Sequence, residues 1–379
     1  MRIALFTETF LPHTDGIVTR LTQTIKELHR AGDDILIVAP HAPGLPINYQ
    51  GASVVGLPSF PLPVYRDFYV GLPFTSNALR AKVPAFAPDL IHAINPVMLG
   101  WEALYHARRS RVPLIASYHT NLPAYAHRYG LSILEHPLWG YLRLLHNRAQ
   151  LNLCTSQFVR ELLQAHGIRS VQLWEPGIDT NHFHPQLRSD AWRIRLTGGH
   201  PESTILLYVG RLAAEKGLDR LMAILPQLDS CHVALVGDGP MAEALRRAAT
   251  GFPVTFLGSL YGKDLAAAYA SSDLFVLPSS TETLGLAAIE AMASGLPVVG
   301  ARSGGIPDTV VEGETGLLFD PDDLEDFARS LRYLVAHMYE RRHMGQAARR
   351  HAERWSWAAA TAGLRQLYMT LIDGRGKPS

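Results

Sequence analysis

Two cysteines in 379 residues are too few to staple a fold, and Cys154 and Cys231 both stand in apolar, strand-like surroundings. That usage fits reduced thiols in a cytosolic compartment and excludes a disulfide scaffold. Charge of one sign is equally scarce: 35 Lys and Arg face 34 Asp and Glu, a net of +1. A general nucleic-acid binder needs a basic surplus, and none is there. No apolar run approaches the ~20 residues that a membrane span requires. The opening MRIALFTETFLP carries one basic residue before a strand pattern, so neither a signal peptide nor a membrane anchor is expected. A metal centre is not expected either, because His182 and His184 form an H-x-H with no third ligand in view.

What is present is an ordinary globular composition, 47% hydrophobic and 18% charged, in a chain long enough for two domains. The stretch 278–300, PSSTETLGLAAIEAMASGLPVVG, organises the rest. Apolar runs at 273–277 and 296–299 flank it and suit strands buried on both faces of a parallel sheet. Between them the pattern predicts a helix from Thr283 or Leu284 to Gly295, a residue suited to end a helix at positive φ. Glu282 then stands just before the helix and Glu290 on it, with Leu284 and Glu290 about 9 Å apart along the axis. The free N–H groups of Thr283, Leu284, Gly285 and Leu286 form an expected anion site, and Gly285 lets a phosphate approach the backbone. Two carboxylates around such a cradle suit a sugar nucleotide. The same residues also read as a plain strand-to-helix junction with an acidic first turn.

Elsewhere, alternating strands and helices predict a doubly wound α/β chain. A strand over 3–6 leads to Asp15-Gly16 and a helix over 17–31 with Val18, Leu21, Ile25 and Leu28 on one face. Gly16 is either a diphosphate contact or a turn glycine. Arg20 points back to the same crevice or is a solvated arginine. The stretch 59–74, dense in proline and aromatics, has neither helical nor strand period and reads as a long loop, either packed or dipping into a lipid interface. His119 follows the end of a strand over 112–118, on the rim where such folds bind ligands. The helix expected at 132–148 carries Trp139, Tyr141, Arg143, His146 and Arg148, a surface that either packs or lies on anionic headgroups. Residues 1–180 hold 15 basic and 12 acidic side chains, a sign that suits an anionic surface. Residues 174–185 read as a linker. Beyond it Arg211 and Lys216 follow a strand over 205–210 and face the side of the helix at 284, where two cations neutralise a diphosphate. The acidic run Asp320 to Asp322 reads as a helix cap.

The pattern E-x7-E, then GLxxxEAMxxGxPVV, GGIPD and EGETGLLFDPDD, resembles the signature of retaining glycosyltransferase family 4, and the resemblance covers nearly the whole chain. It implies a GT-B fold: two Rossmann-like doubly wound domains facing across a cleft, here residues 1–175 plus 355–379 on the acceptor side and 185–354 on the nucleotide-sugar side. It also implies metal-independent retaining transfer, with His119 on the donor sugar, Arg211 and Lys216 on the pyrophosphate, Glu282 on the sugar hydroxyls and Glu290 on the ribose. Gly258 and Tyr261 would hold the base through the backbone. MRIALFTETFLPHTDGIVTRL, the FPLP loop, ASYHTNLPAYAHRYG, RAQLNLCTS and SSTETLGL are similar to the family branch of cyanobacterial sulfolipid synthases. That branch moves sulfoquinovose from UDP-sulfoquinovose to diacylglycerol. A sulfonate needs a cation, and Arg20, Arg128 and His127 are the candidates. The partners implied are that donor, diacylglycerol and an anionic membrane surface, approached peripherally from the cytoplasm. Lipid mannosyl- and glucosyltransferases share much of the pattern. A sugar-nucleotide epimerase and a non-catalytic sugar-nucleotide sensor are the rivals from other classes.

Overall fold

The computed structural model of the chain describes residues 1–13, 15–61, 69–124 and 132–374. These residues form two compact units, residues 1–177 together with 357–374, and residues 178–356.

The first unit is built on an eight-stranded sheet. Its strands are β1 (Arg2–Thr7), β2 (Asp34–Pro40), β3 (Asn48–Tyr49), β4 (Ala52–Leu57), β7 (Leu90–Ile94), β8 (Leu114–Tyr118), β9 (Leu151–Cys154) and β10 (Val171–Leu173). The order is β10-β9-β8-β7-β1-β2-β4-β3. All pairings are parallel except β3 with β4. From β1 the chain winds outward through β2 and later returns to the other side at β7, so the topological switch lies between β1 and β7. The continuous apolar runs read from the sequence are explained: β7 and β8 are buried along their whole length. The helix Gly16–Arg30 starts where Asp15 caps it, accepting from the Val18 N–H at 2.8 Å. It buries Val18, Leu21, Ile25 and Leu28 as the spacing predicts, and Arg20 with them. The C-terminal helix Trp357–Asp373 packs on it and sends Tyr368 to His92, hydroxyl to Nδ1 at 2.6 Å.

Two expectations for this unit need correction. The stretch 59–74 is not loop throughout: β5 (Ser59–Pro61) and β6 (Tyr69–Gly71) pair antiparallel at its ends, and 62–68 lie outside the described residues. Three-residue strands are too short to show a period. The segment 353–372, ERWSWAAATAGLRQLYMTLI, reads as one amphipathic helix, but the last helix begins at Trp357, past Glu353, the C-cap of the helix Met338–Ala352.

The second unit holds a six-stranded, wholly parallel sheet in the order β13-β12-β11-β14-β15-β16. Its strands are β11 (Thr204–Val209), β12 (Cys231–Val236), β13 (Val254–Gly258), β14 (Leu274–Leu277), β15 (Val298–Ala301) and β16 (Gly316–Phe319). The switch point falls between β11 and β14, whose register pairs Leu206 with Leu274 and Leu207 with Phe275. Doubly wound sheets bind ligands outside the strand ends at this point. The stretch 278–300 leaves β14 there.

Both sheets are covered by helices on both faces. Cys154 and Cys231 are buried free thiols. Among the described residues no helix is long and apolar enough to cross a membrane.

Candidate active site

In the second unit the chain leaves β11 through Gly210 at φ 154° and reaches Arg211. Strand β12 ends nearby at Gly237, where a Cβ would lie 1.9 Å from the Gly210 carbonyl oxygen. Only glycine permits that approach. Arg211 pairs with the carboxylate of Glu215, whose side chain is fully buried while that of Arg211 is 38% exposed. Glu215 also works through its backbone: its carbonyl accepts from Ser279 Oγ at 3.2 Å and Thr281 Oγ1 at 3.3 Å. One residue therefore orients Arg211 and ties down the start of the TETLGL loop.

Lys216, the next residue, donates from Nζ to Glu282 Oε1 at 2.6 Å. The cation expected on a diphosphate and the first glutamate of the E-x7-E pair thus meet. The carbonyl of Glu282 accepts from the Gly305 N–H at 2.7 Å. A Cβ at Gly304 would stand 2.3 Å from that same oxygen, and Thr309 Oγ1 donates to the Leu284 carbonyl at 3.0 Å. The GGIPD motif therefore braces the loop from behind. That role was not readable from spacing, because these residues lie some twenty positions along the chain from the backbone they hold.

The helix after the loop corrects an expectation. It spans Leu286–Ala293, and Gly285 caps it at φ 81°, ψ 56°. A left-handed residue cannot continue a right-handed helix, so Thr283 and Leu284 precede the helix and their N–H groups are not part of its first turn. The donors at the helix end are Leu286 and Ala287; the N–H of Ala288 already bonds to the Gly285 carbonyl at 2.9 Å. Gly295 ends the element at φ 80°, as the pattern requires. Glu290 is held by Tyr269, whose hydroxyl donates to Oε2 at 2.9 Å. Burial pushes the Glu290 carboxyl up to about 7, with the Tyr269 bond pulling the other way. Tyr269 escaped the sequence reading because it looks like one more apolar residue of the helix Gly262–Ser271. Gly258, at φ 69°, closes β13, and Tyr261 is 64% exposed beyond it. The expected acidic cap needs a shift of one residue: Asp323 caps the helix Leu324–Ala336, accepting from the Glu325 and Asp326 N–H groups, while Asp320 accepts from Asp322.

In the first unit His119 lies just past β8. Its backbone N–H donates to Asn95 Oδ1 at 3.1 Å, and its Nε2 is 2.8 Å from Ser117 Oγ. The ring stands edge-on to Trp174, centroids 5.5 Å apart. Burial first, then the charge of Arg20, hold its pKa well below the ordinary value, so the imidazole is neutral at pH 7. Arg20 is neither solvated nor open to the rim. It is 2% exposed, lies over the Trp174 ring at 4.1 Å, and its Nη2 donates to the carbonyls of Trp174 and Glu175. Its Nε and Nη1 find no partner among the described residues, and burial lowers its pKa to about 9. Gly16 is the exposed first residue of its helix. His127 and Arg128 lie outside the described residues.

Two doubly wound units, one carrying Arg211 and Lys216 after β11 and Glu282 after β14 at its switch point, define a GT-B glycosyltransferase. Residues 14–182 match Glycosyltransferase Family 4 and residues 203–337 match Glycosyl transferases group 1. The chain belongs to this family. It is 41% identical over 371 residues to Sulfoquinovosyl transferase SQD2 of Arabidopsis thaliana, covering 96% of this chain and 72% of that protein. A GDP-mannose-dependent alpha-mannosyltransferase of Mycolicibacterium smegmatis is 36% identical over 381 residues, covering 99% of both chains. Among solved structures, Anabaena HepE in complex with UDP and glucose superposes with a TM-score of 0.80 at 20% identity, covering 98% of this chain and all of that one. Sucrose-phosphate synthase from Thermosynechococcus elongatus gives 0.78 at 23%, covering 98% and 99%. These two support the fold alone.

Proposed function

We propose that the protein is a retaining, metal-independent glycosyltransferase that moves sulfoquinovose from UDP-sulfoquinovose to diacylglycerol. The observation that carries this reading is the 41% identity to a sulfoquinovosyl transferase across 96% of the chain. In the proposed reaction the bond between the sugar C1 and the diphosphate oxygen breaks, and C1 bonds to the lipid hydroxyl oxygen on the same face. The hydroxyl proton passes to the departing phosphate oxygen. Arg211 and Lys216 stabilise the charge that develops on UDP, aided by the N–H groups at the Leu286 helix end. Glu282 takes the sugar hydroxyls and Glu290 the ribose hydroxyls, with the base held near Gly258 and Tyr261. His119, neutral and fixed by Ser117 and Asn95, packs against the sugar. Arg128 and His127 are the candidates for the sulfonate; Arg20, buried beneath Trp174, is not.

The test uses purified protein with diacylglycerol liposomes and, in parallel, UDP-sulfoquinovose, UDP-glucose and GDP-mannose, with lipid products read by mass spectrometry. A sulfoquinovosyl lipid from the first donor alone is expected. A mannosyl or glucosyl lipid would transfer the reading to the family's other lipid enzymes, which the full-length match to the mannosyltransferase favours. Sugar release without acceptor would point to neither.

A pH dependence follows from Glu290. Ribose hydroxyls donate to a carboxylate, and the Glu290 carboxyl is held near 7 in the free protein. UDP affinity is therefore expected to weaken as pH falls below 7, by up to about tenfold per pH unit for one proton taken up. Calorimetric titration of UDP between pH 8 and 5.5 reads this, with Glu290→Gln as reference. The terminal phosphate of UDP titrates in the same window (near pH 6), but it does so with both proteins. The difference between the two profiles reports Glu290, and parallel profiles would remove it from the ribose site.

A further inference from the structure

At the end of the first sheet opposite to His119 lies a cavity of about 490 Å³ that the sugar-transfer chemistry does not use. Its floor is the apolar start of β8, Val112 and Leu114, with Leu104 and Ala107 of the helix Leu99–Ser110 and Leu371 of the C-terminal helix. Its rim carries Arg108, Arg111 and Arg148. No Asp or Glu lines it. Two further polar side chains line it: Gln150, whose Oε1 already accepts from the Leu114 N–H at 2.8 Å, and Thr370, which donates to the Gln366 carbonyl at 2.9 Å.

Some arginines of the chain pair with carboxylates, as Arg193 and Arg188 do with Asp273. Among the described residues none of Arg108, Arg111 and Arg148 makes such a pair. Arg148 reaches only the Leu144 carbonyl and the face of Trp101, at 5.6 Å. Asp373, beside the lining residue Gly374, makes no ion pair with them either. All three are exposed, so each keeps its hydration, and Arg108 also stands in the last turn of its helix, where a cation favours the dipole. The residues after Gly374 are no counter-charge: 375–379 include Arg375 and Lys377 and no acidic side chain. A donor-only rim above an apolar floor complements an anion attached to a hydrocarbon body, because guanidinium groups hold phosphate oxygens in bidentate fashion. The volume lies within the ~300–1,000 Å³ typical of small-molecule sites. The neighbouring surface is apolar as well: Leu144 is 47% exposed and Tyr105 36%.

We propose that this cavity is a receptor for one anionic phospholipid, its phosphodiester on Arg108, Arg111 and Arg148 and its first acyl methylenes against Val112, Leu114 and Leu371. The site would hold the first unit on an anionic bilayer. It rests on the reading that the acceptor lies in a membrane. Binding is measured without donor or acceptor, so its failure and that of the transfer reading stay distinguishable.

The experiment titrates the full chain with a dissolved, short-chain phosphatidylglycerol below its micelle concentration, and with glycerol phosphate. In parallel the protein is sedimented with phosphatidylcholine vesicles, with or without a one-third share of phosphatidylglycerol. The variant R108Q/R111Q/R148Q is compared with R143Q/R160Q/R169Q, which removes the same charge from the same unit outside the cavity. Saturable one-to-one binding of the dissolved lipid is expected, together with a loss of at least about tenfold in vesicle affinity for the first variant only. An unchanged thermal midpoint checks that both variants fold. Equal losses in the two variants would mean diffuse attraction and overturn the site. Equal binding of glycerol phosphate and lipid would remove the lipid from the proposal, and no binding of the dissolved lipid would end it.

Discussion

Lys216→Ala is expected to lower kcat by about 10²–10³, the range found when one fixed donor to a developing anion is removed. The reason lies in the ligand-free pairing. Lys216 Nζ sits 2.6 Å from Glu282 Oε1, in a spot where both side chains are mostly buried, at 19% and 15% exposure. Removing the lysine takes away the cation that would meet the departing UDP. It also leaves the Glu282 carboxylate uncompensated beside the place where negative charge gathers. Because that charge is greater in the transition state than in the bound donor, the loss should fall on kcat more than on KM. Lys216→Arg, which keeps the charge but changes its geometry, should recover part of it. Steady-state rates with donor and lipid held at saturation measure the effect. Near-normal turnover in both Lys216→Ala and Glu290→Gln would mean that the site is misassigned.

Asp273→Ala is expected to destabilise the second unit by about 3 kcal/mol, the lower part of the range for breaking a buried ion pair. Asp273 stands at the entrance of β14. Its Oδ2 accepts from Arg193 Nη1 and from the Ile205 N–H, each at 2.9 Å, and its Oδ1 accepts from Arg188 Nη2 at 3.1 Å. The carboxylate therefore ties the helix Asp190–Thr197 to the starts of the two strands that flank the switch point. Without it the guanidinium of Arg193, 9% exposed, keeps its bonds to the carbonyls of Pro201, Ser271 and Ser203 but loses its counter-charge. Those retained bonds place the estimate at the low end. Denaturant unfolding followed by two probes, one in each unit, should show the transition of residues 178–356 moving while the other stays. A loss below about 1 kcal/mol would put the pair among solvent-screened ones.

Local patterns were enough for most of the strands and helices. Buried parallel strands announce themselves as short apolar runs, and β7, β8, β11, β12 and β14 lie where those runs lie. Turn glycines are just as legible, because a left-handed residue is costly for any other side chain; Gly295 ends its helix as read. The sequence pattern placed Arg211 and Lys216 after one strand, and Glu282 and Glu290 on the loop and helix after another. Partners that come from elsewhere in the chain were not legible. Nothing in the sequence near Glu290 names Tyr269, and nothing near Glu282 names Gly304, Gly305 or Thr309. The start of the helix moved to Leu286 because Gly285 adopts a left-handed cap, which no pattern of apolar residues announces. Arg20 reads either as pointing to the crevice or as solvated, yet it is buried beneath Trp174, more than 150 residues away along the chain. The sequence by itself determined most of which segments are strands and helices and which side chains are candidates for the chemistry, since both depend on periodicity and residue type over a few turns. Only the tertiary structure decided what holds those side chains, how far each is buried and what charge it carries. Those properties come from neighbours brought together by the crossover connections of the sheets, and no local spacing records them.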